Sequence, residues 1–489
     1  MNRSTRYSAR ALPLAFALLL GAGGCITVGP DYEPVALQLP DRWSGEEGPA
    51  GEVAAPDDPT ALSDEVDAGE LPEVMDRWWD DFDDPTLTAL VERAATGNLD
   101  VRTAGSRITQ ARASLGISEA ELWPTIDGNI AATRSEGSEA VGTGERIDFY
   151  RVGIDVGREL DLFGGQRREI EAAVADLEAR HADEEAALVA ISAEVALRYV
   201  DLREFQRRLE IAEDNLAVQE ETFQLTQFRA QAGLSTQLDV ELALSNLEST
   251  RARLPELEGQ IERTKHSISV LVGLPPGALD SDLGPVAPIP MPSPEIAVGV
   301  PAEVLRRRPD VRAAEQSVVT QSALVGVATA QLYPRFRLSG SIGLESLSLD
   351  GLISTDVISW SSGPSISIPI FNRGRIKRGV DLQVALLEQS EIAYERTVLN
   401  ALTEVEDALV GLRTTGDQQV AYADAAAAAQ RALDLSLDLY QNGVRDFQSV
   451  LEAQRSLYSF QDLLAQSEAS GAASLVRLYK ALGGAWPIE

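Results

Sequence analysis

The chain repeats itself at a fixed distance of 210 residues, and few folds accommodate that. Leu99 to Pro124 aligns without a gap on Pro309 to Pro334, so that Asp100 meets Asp310, Arg102 meets Arg312, Gly116 meets Gly326 and Pro124 meets Pro334. The same offset pairs Gly233 with Gly443 and Val240 with Val450, more than a hundred residues further on. An offset that survives that far argues for duplication, so whatever one copy folds into, the other folds into as well. Between the copies, Leu274 to Pro301 holds eight prolines, an extended semi-rigid crossover. The division that follows is a signal-like segment (1–24), an extended leader (25–75), repeat one (76–273), the crossover (274–301) and repeat two (302–489).

Each copy reads helix, two strands, long helix, turn, helix. The first helix of copy one, about Asp100 to Leu122, stops at Trp123-Pro124, because the residue before proline resists the helical conformation. Strict alternation then appears. Phe336, Leu338, Gly340, Ile342 and Leu344 face one way and Arg335, Arg337, Ser339, Ser341 and Glu345 the other. Tyr150, Val152, Ile154 and Val156 repeat the pattern, as do Ile366, Ile368 and Ile370; Ile126 and Ile130 carry it more weakly. Strand pairs are expected at about 125–162 and 335–371. Such two-faced strands suit either a sandwich with one wet face or a membrane barrel. Trp123, Phe163, Tyr333 and Phe371, at the helix-side ends, suit an interfacial girdle and favour the barrel.

The long helix of copy one is expected from about Gln166 to Gln231, roughly 100 Å at 1.5 Å per residue. Leu188, Val195, Leu202, Leu209, Leu216 and Phe223 recur every seven residues, and Val398, Val405 and Leu412 repeat the spacing in copy two. That period specifies coiled-coil packing. Gly233 and Gly443 end the long helices, and the chain returns as one helix, about Thr236 to Val272 in copy one.

The formal net charge of −34 argues against a nucleic-acid partner, since phosphate binding needs concentrated positive charge. It fits a solvated acidic surface, or cationic cargo steered through an acidic lumen. The chain's one cysteine, Cys25, excludes an internal disulfide and a cysteine-based zinc site. It follows a basic stretch (Arg3, Arg6, Arg10), an apolar run (Ala11 to Leu20) and Ala22-Gly23-Gly24. That order resembles a bacterial lipoprotein signal, cleaved before a cysteine that then carries lipid.

Four strands cannot close a barrel, and an open sheet edge is not tolerated in lipid. Two chains would supply eight strands and three would supply twelve, so assembly is required and its number stays open. The sequence resembles the outer membrane factor family, the TolC-like export channels, particularly the lipoprotein branch serving drug-efflux pumps. The resemblance rests on Gly29-Pro30-Asp31-Tyr32, Trp78-Trp79 with Phe82 and Pro85, and Glu159 to Gly165. It continues in Arg307 to Val311, Pro369-Ile370-Phe371 with Gly374-Arg375, and Leu482-Gly483-Gly484 before Trp486.

The resemblance implies a homotrimer with a twelve-stranded β-barrel, four strands per subunit, continued by a long α-helical coiled-coil barrel. It implies an outer-membrane duct, opened at its periplasmic tip, working with a periplasmic adaptor and an inner-membrane pump. Gly233, Leu234, Ser235, Gly443 and Val444 fall on the tip that meets the adaptor. Asp239 and Arg445 fall on gate positions, and the family's acidic pair beyond that arginine becomes Ser449 and Glu452 here.

An enzyme is the first rival. The two histidines, His181 and His266, sit in charge-rich helical stretches, and no nucleophile elbow, phosphate loop or metal spacing appears, so no cofactor or metal is expected. A pore-free periplasmic scaffold has no use for four lipid-compatible strands. A duct for one-step protein secretion is the remaining alternative to small-molecule efflux.

Overall fold

The computed structural model describes residues 27–35, 40, 43, 77–138, 140, 144–291 and 301–484. The signal-like segment and Cys25 lie outside them. The chain divides into two compact units. One holds Met1–Ala36, Ile108–Arg180 and Ala313–Tyr394; the other holds Leu37–Arg107, His181–Arg312 and Glu395–Glu489.

Copy one comprises α1 (Pro85–Gly97), α2 (Leu99–Ala120), β1 (Thr125–Glu136), β2 (Arg146–Leu160), α3 (Gly165–Gln231), α4 (Gln237–Arg251) and α5 (Leu254–Leu271). A single turn, α6 (Asp280–Leu283), lies in the crossover. Copy two comprises α7 (Pro301–Arg307), α8 (Pro309–Ala330), β3 (Arg335–Ser346), β4 (Ile358–Ser367), α9 (Arg375–Gln441) and α10 (Phe447–Ala481). The helices α3 and α9 are 67 residues each, and their first residues are 210 apart.

In the first unit the strands form one antiparallel sheet in the order β1-β2-β3-β4, so the pairing of β2 with β3 joins the two copies. Residues directly opposite share a face. The row Ile130, Val152, Leu344, Ile358 lies on one face, as do Gly128, Ile154, Ile342, Trp360 and Ile126, Val156, Gly340, Ser362. On the other face Asp127, Asp155, Ser341 and Ser361 align, as do Ala131, Arg151 and Glu345. There Arg151 pairs with Asp155 at 2.9 Å, and the hydroxyls of Ser341 and Ser361 meet at 2.9 Å. The alternation expected from sequence thus assembles, in register, into one apolar and one polar face. Ile368 and Ile370 are exceptions, lying beyond the end of β4. The last pair of its ladder is Arg335 with Ser367, and Pro369 has no N–H to extend it.

In the second unit, a core gathers Trp78, Trp79, Leu87, Tyr199, Leu202, Ile268, Leu279, Leu283 and Tyr479. Trp78 stacks on Tyr479 at 5.3 Å, whose hydroxyl donates to Asp81 at 2.6 Å, while Tyr199 donates to Asp84 at 2.6 Å. Burial pushes the Tyr199 hydroxyl up to about 12. Asp84 also caps α1, accepting from the N–H groups of Thr86 and Leu87. From the leader, Trp43 is buried against Val304, Val405, Leu478 and Leu482.

Two expectations need correction here. The return path of copy one is two helices, broken at Ala252-Arg253, because Pro255 cannot donate to the carbonyl of Arg251. The seven-residue seam is also apolar only in part. Val195 and Leu202 are fully buried, whereas nearer the turn the buried positions are Asn215, Gln219, Thr222 and Thr226. Leu209, Leu216 and Phe223 are half-buried beside them. A helix of 3.6 residues per turn drifts by about 20° per heptad, which carries a strict seven-residue row off the contact line. The polar seam bonds across to α10: Asn215 donates to Gln461 at 2.8 Å, Gln454 to Thr222 at 2.8 Å, and Arg208 pairs with Asp462 at 2.7 Å.

Candidate functional site

The turns that end α3 and α9 are built alike. Gly233 (φ 74°) and Gly443 (φ 73°) adopt the left-handed conformation. The Gly233 N–H donates to Ala230 O and the Leu234 N–H to Arg229 O; Gly443 donates to Tyr440 O and Val444 to Leu439 O. This double closure ends a helix and reverses the chain. It leaves Leu234 and Val444 each 67% exposed, two apolar side chains standing on the turns.

The residues after each turn show where the expected gate side chains go. Asp239 accepts from the Thr236 N–H (3.0 Å) and from the hydroxyls of Ser235 (2.8 Å) and Thr236 (2.9 Å), while Thr236 accepts from the Asp239 N–H. It completes a capping box on α4. Burial works against the Asp239 carboxylate, but those hydrogen bonds outweigh it and hold its pKa below the usual value. In copy two the parts are exchanged. Asp446 caps α10 by accepting from the Ser449 N–H at 3.3 Å, and the Ser449 hydroxyl donates back to Asp446 O at 2.7 Å. The carboxylate that sequence reasoning finds missing at Ser449 stands three residues earlier, at Asp446. The 210 offset, applied to Thr236, would have found it.

Glu452 accepts from Gln448 at 3.1 Å along the helix face. Arg445 is exposed and, among the described residues, forms no ion pair within the chain. The structure therefore brings Asp239 and Ser449 into helix caps but does not join Arg445, Ser449 and Glu452 to one another through their side chains. The two turns are joined instead by residues that no spacing signalled. The guanidinium of Arg229 lies 4.7 Å over the ring of Tyr440 and donates to Gln441 O at 2.9 Å. Tyr440 donates to the Ser235 hydroxyl at 3.4 Å and packs edge-on against Phe447 at 5.6 Å.

At the helix-side ends of the strands the four aromatics differ in role. Phe163 and Tyr333 stack on one another at 4.6 Å, whereas Trp123 and Phe371 are 73% and 88% exposed. A strap at residues 27–34 docks in the same unit. The Val28 N–H donates to Phe163 O at 3.1 Å, Arg168 pairs with Asp31 at 2.5 Å, and Tyr32 donates to Glu315 at 2.9 Å. Gly29 passes so close to Gly326 that a side chain on it would meet the Gly326 Cα at 2.4 Å. Among the described residues, no helix is long and apolar enough to cross a membrane, and no cluster of three His, Cys, Asp or Glu residues could hold a metal.

Comparison with known proteins bears on this geometry. The family profile described as "Outer membrane efflux protein" matches residues 90–274 and again residues 300–484, two segments whose starts and ends are each 210 apart. The chain is 34% identical over 472 residues to nodulation protein T of Rhizobium leguminosarum bv. trifolii, covering 95% of this chain and 94% of that protein. It is 32% identical over 484 residues to the solvent efflux pump outer membrane protein SrpC of Pseudomonas putida, covering 98% and 99%. Among solved structures, the outer-membrane channel OprN superposes with a TM-score of 0.82 at 34% identity, covering 94% of this chain and 99% of that one. The open-state MtrE outer membrane channel of Neisseria gonorrhoeae gives 0.80 at 28%, covering 94% and 98%. The chain belongs to the outer membrane efflux protein family, and it is an outer-membrane channel component of an efflux pump, not an enzyme.

Proposed function

We propose that three copies of the chain close one β-barrel and one helical tunnel, forming a passive duct for drugs or other small molecules. A periplasmic adaptor coupled to an inner-membrane pump opens it. The observation that carries this reading is the two-faced sheet whose outer strands, β1 and β4, each have an unpaired edge within the chain. In lipid those edges need partners. Three chains give twelve strands, enough to leave a water-filled lumen, whereas eight would fill with side chains. From Tyr150 to Leu160 the apolar face of β2 runs roughly 33 Å, which at a tilt near 40° matches an apolar band about 25 Å tall. Beyond it, Arg134 pairs with Asp148 at 2.8 Å and Arg146 with Glu136 at 2.9 Å, as suits a rim returning to water.

The cargo class rests on relatives named for solvent efflux and for pyoverdine export. Anchoring through lipid on Cys25 rests on the basic stretch, the apolar run and Ala22-Gly23-Gly24 that precede it. Leu234 and Val444, exposed on the turns, are the surface offered to the adaptor, and the free Arg445 is the latch between neighbouring subunits. Opening is then a population shift, the adaptor binding the open tip more tightly than the closed one. Replacing Arg445 by alanine raises resting conductance in planar bilayers, while the cap residues Asp446 and Ser449 still fold α10. Unchanged conductance would sink the latch, and a variant that forms no pores at all would sink the wider reading of the tip.

A further inference from the structure

We propose that the strand-to-helix junction of copy two binds anionic phospholipid headgroups of the membrane leaflet on the helix side of the barrel, through Arg373, Lys377 and Arg378. The inference rests on the reading of the sheet's apolar face as lipid-facing.

The junction has two parts in sequence. Ile368, Ile370 and Phe371 come first, all exposed, with Ile370 92% so. Arg373, Arg375, Lys377 and Arg378 follow within six residues, and no carboxylate intervenes before Asp381. In a chain of net charge −34 with three lysines, this is a concentrated positive patch. Arg375 borders a groove of about 550 Å³ whose walls include Glu121, Asp161 and Glu169, so its charge has acidic neighbours. All four are exposed. Among the described residues neither Arg373 nor Lys377 has an ion-pair partner within the chain, and Arg378 reaches only the exposed Asp381 at 3.1 Å.

Copy one puts the corresponding residues to internal use. The positions 210 residues earlier are Phe163, Gly165, Arg167 and Arg168. Phe163 is stacked on Tyr333, Arg167 pairs with Asp161 at 3.1 Å, and Arg168 pairs with Asp31 and Glu171. One junction thus neutralises its charge, and the other presents it beside exposed apolar side chains. A second observation agrees. Arg158 lies on the apolar face of the sheet between Val156 and Leu160, opposite Leu338, and is exposed. Near the helix-side end of that face a long basic side chain reaches the headgroup level. Juxtamembrane basic residues beside an apolar surface draw anionic headgroups, with an attraction that salt weakens.

The test is lipid selectivity, measured by spin-labelled phosphatidylglycerol and phosphatidylcholine in bilayers containing the full-length protein. Both labels show a motionally restricted fraction at the apolar face, with phosphatidylglycerol enriched several-fold at low salt and less so near 1 M salt. The triple substitution Arg373→Gln, Lys377→Gln, Arg378→Gln removes most of the enrichment and leaves the restricted phosphatidylcholine unchanged. Lys377→Gln alone gives a partial loss, should the triple variant not assemble. Equal restriction of both lipids by the unaltered protein overturns the proposal while leaving the membrane reading intact. Restriction of neither overturns the membrane reading itself. Assembly weakened by the substitutions equally in pure phosphatidylcholine assigns the patch to a neighbouring subunit and also overturns it.

Discussion

The two copies agree in backbone and disagree in what their side chains do at matched positions. The helices α2 and α8 each span 22 residues, β1 and β3 12 and the long helices 67, each pair set 210 apart. At the end of each return path the same carbonyl is bonded by an unlike partner. In copy one Asn98 donates to Leu271 O at 2.8 Å and also caps α2, accepting from the Asp100 N–H at 2.7 Å. In copy two Arg308 donates to Ala481 O at 2.8 Å and binds Asp310 and Glu404, each at 2.7 Å. The two copies share the requirement, that a helix end needs a donor, and meet it with different chemistry.

That difference is the easiest to break. Arg308 has a side chain 7% exposed, so Arg308→Ala takes the guanidinium from two carboxylates and a carbonyl, and Asp310 keeps only the Val311 N–H. Those carboxylates are partly solvated, which screens the loss to about 3 kcal/mol. Asn98→Ala removes a neutral cap and one bond to a carbonyl, about 1–2 kcal/mol. Denaturant unfolding in detergent measures both. A loss at Asn98 equal to or above that at Arg308 would contradict the assignment of a charged tie to copy two alone.

The exchanged caps give the next largest effect. Asp239→Ala and Asp446→Ala each cost about 1 kcal/mol, and Ser449→Ala a few tenths, because the exposed serine is the lesser half of its cap. The pH dependence of the Asp239 cap adds a check. Asp239 has its pKa depressed on folding, so its contribution is present above the unfolded value near 3.9 and lost as pH falls through the folded one. Hydrogen-exchange protection at the start of α4, corrected for intrinsic rates, is therefore flat from pH 8 to pH 5 and falls below about pH 4. A fall near pH 6 would mean that another group holds the turn.

Much of this architecture was readable in the residues because periodicity and an exact offset are properties of the chain. Gly165 and Arg375 begin their helices, and Gly233 and Gly443 end them, within a residue or so of where spacing puts them. The region around the two turns was legible only in part. Helix caps are local, so Asp239 could be placed by motif, but whether its carboxylate is free or committed depends on Ser235 and Thr236 folding back onto it. Arg229 over Tyr440 joins residues 211 apart with no shared pattern. Trp43 likewise lies in a stretch whose composition reads as linker, yet it fills a core. Side-chain contacts between distant segments leave no period to detect.

A further small effect is expected at a break in backbone equivalence on the return path. Pro255 stands where copy two has the buried Ala465. Ala252 (φ −66°, ψ −20°) and Arg253 (φ −80°, ψ −26°) keep near-helical angles across the break, so what is interrupted is hydrogen bonding more than direction. The Arg253 N–H donates to Thr250 O, Leu257 resumes the ladder by donating to Arg253 O, and the guanidinium of Arg253 sits 5.0 Å over the Tyr458 ring. Pro255→Ala restores one N–H with little movement required. The gain is under about 1 kcal/mol, since a proline at the start of a helix is well tolerated and its removal also frees the unfolded chain. Amide exchange between residues 251 and 257 slows to the rate seen between 461 and 467, bringing the two return helices into line. Persistent fast exchange would place the cause of the break in the packing of Arg253 on Tyr458, and Arg253→Ala in the same background would then slow it.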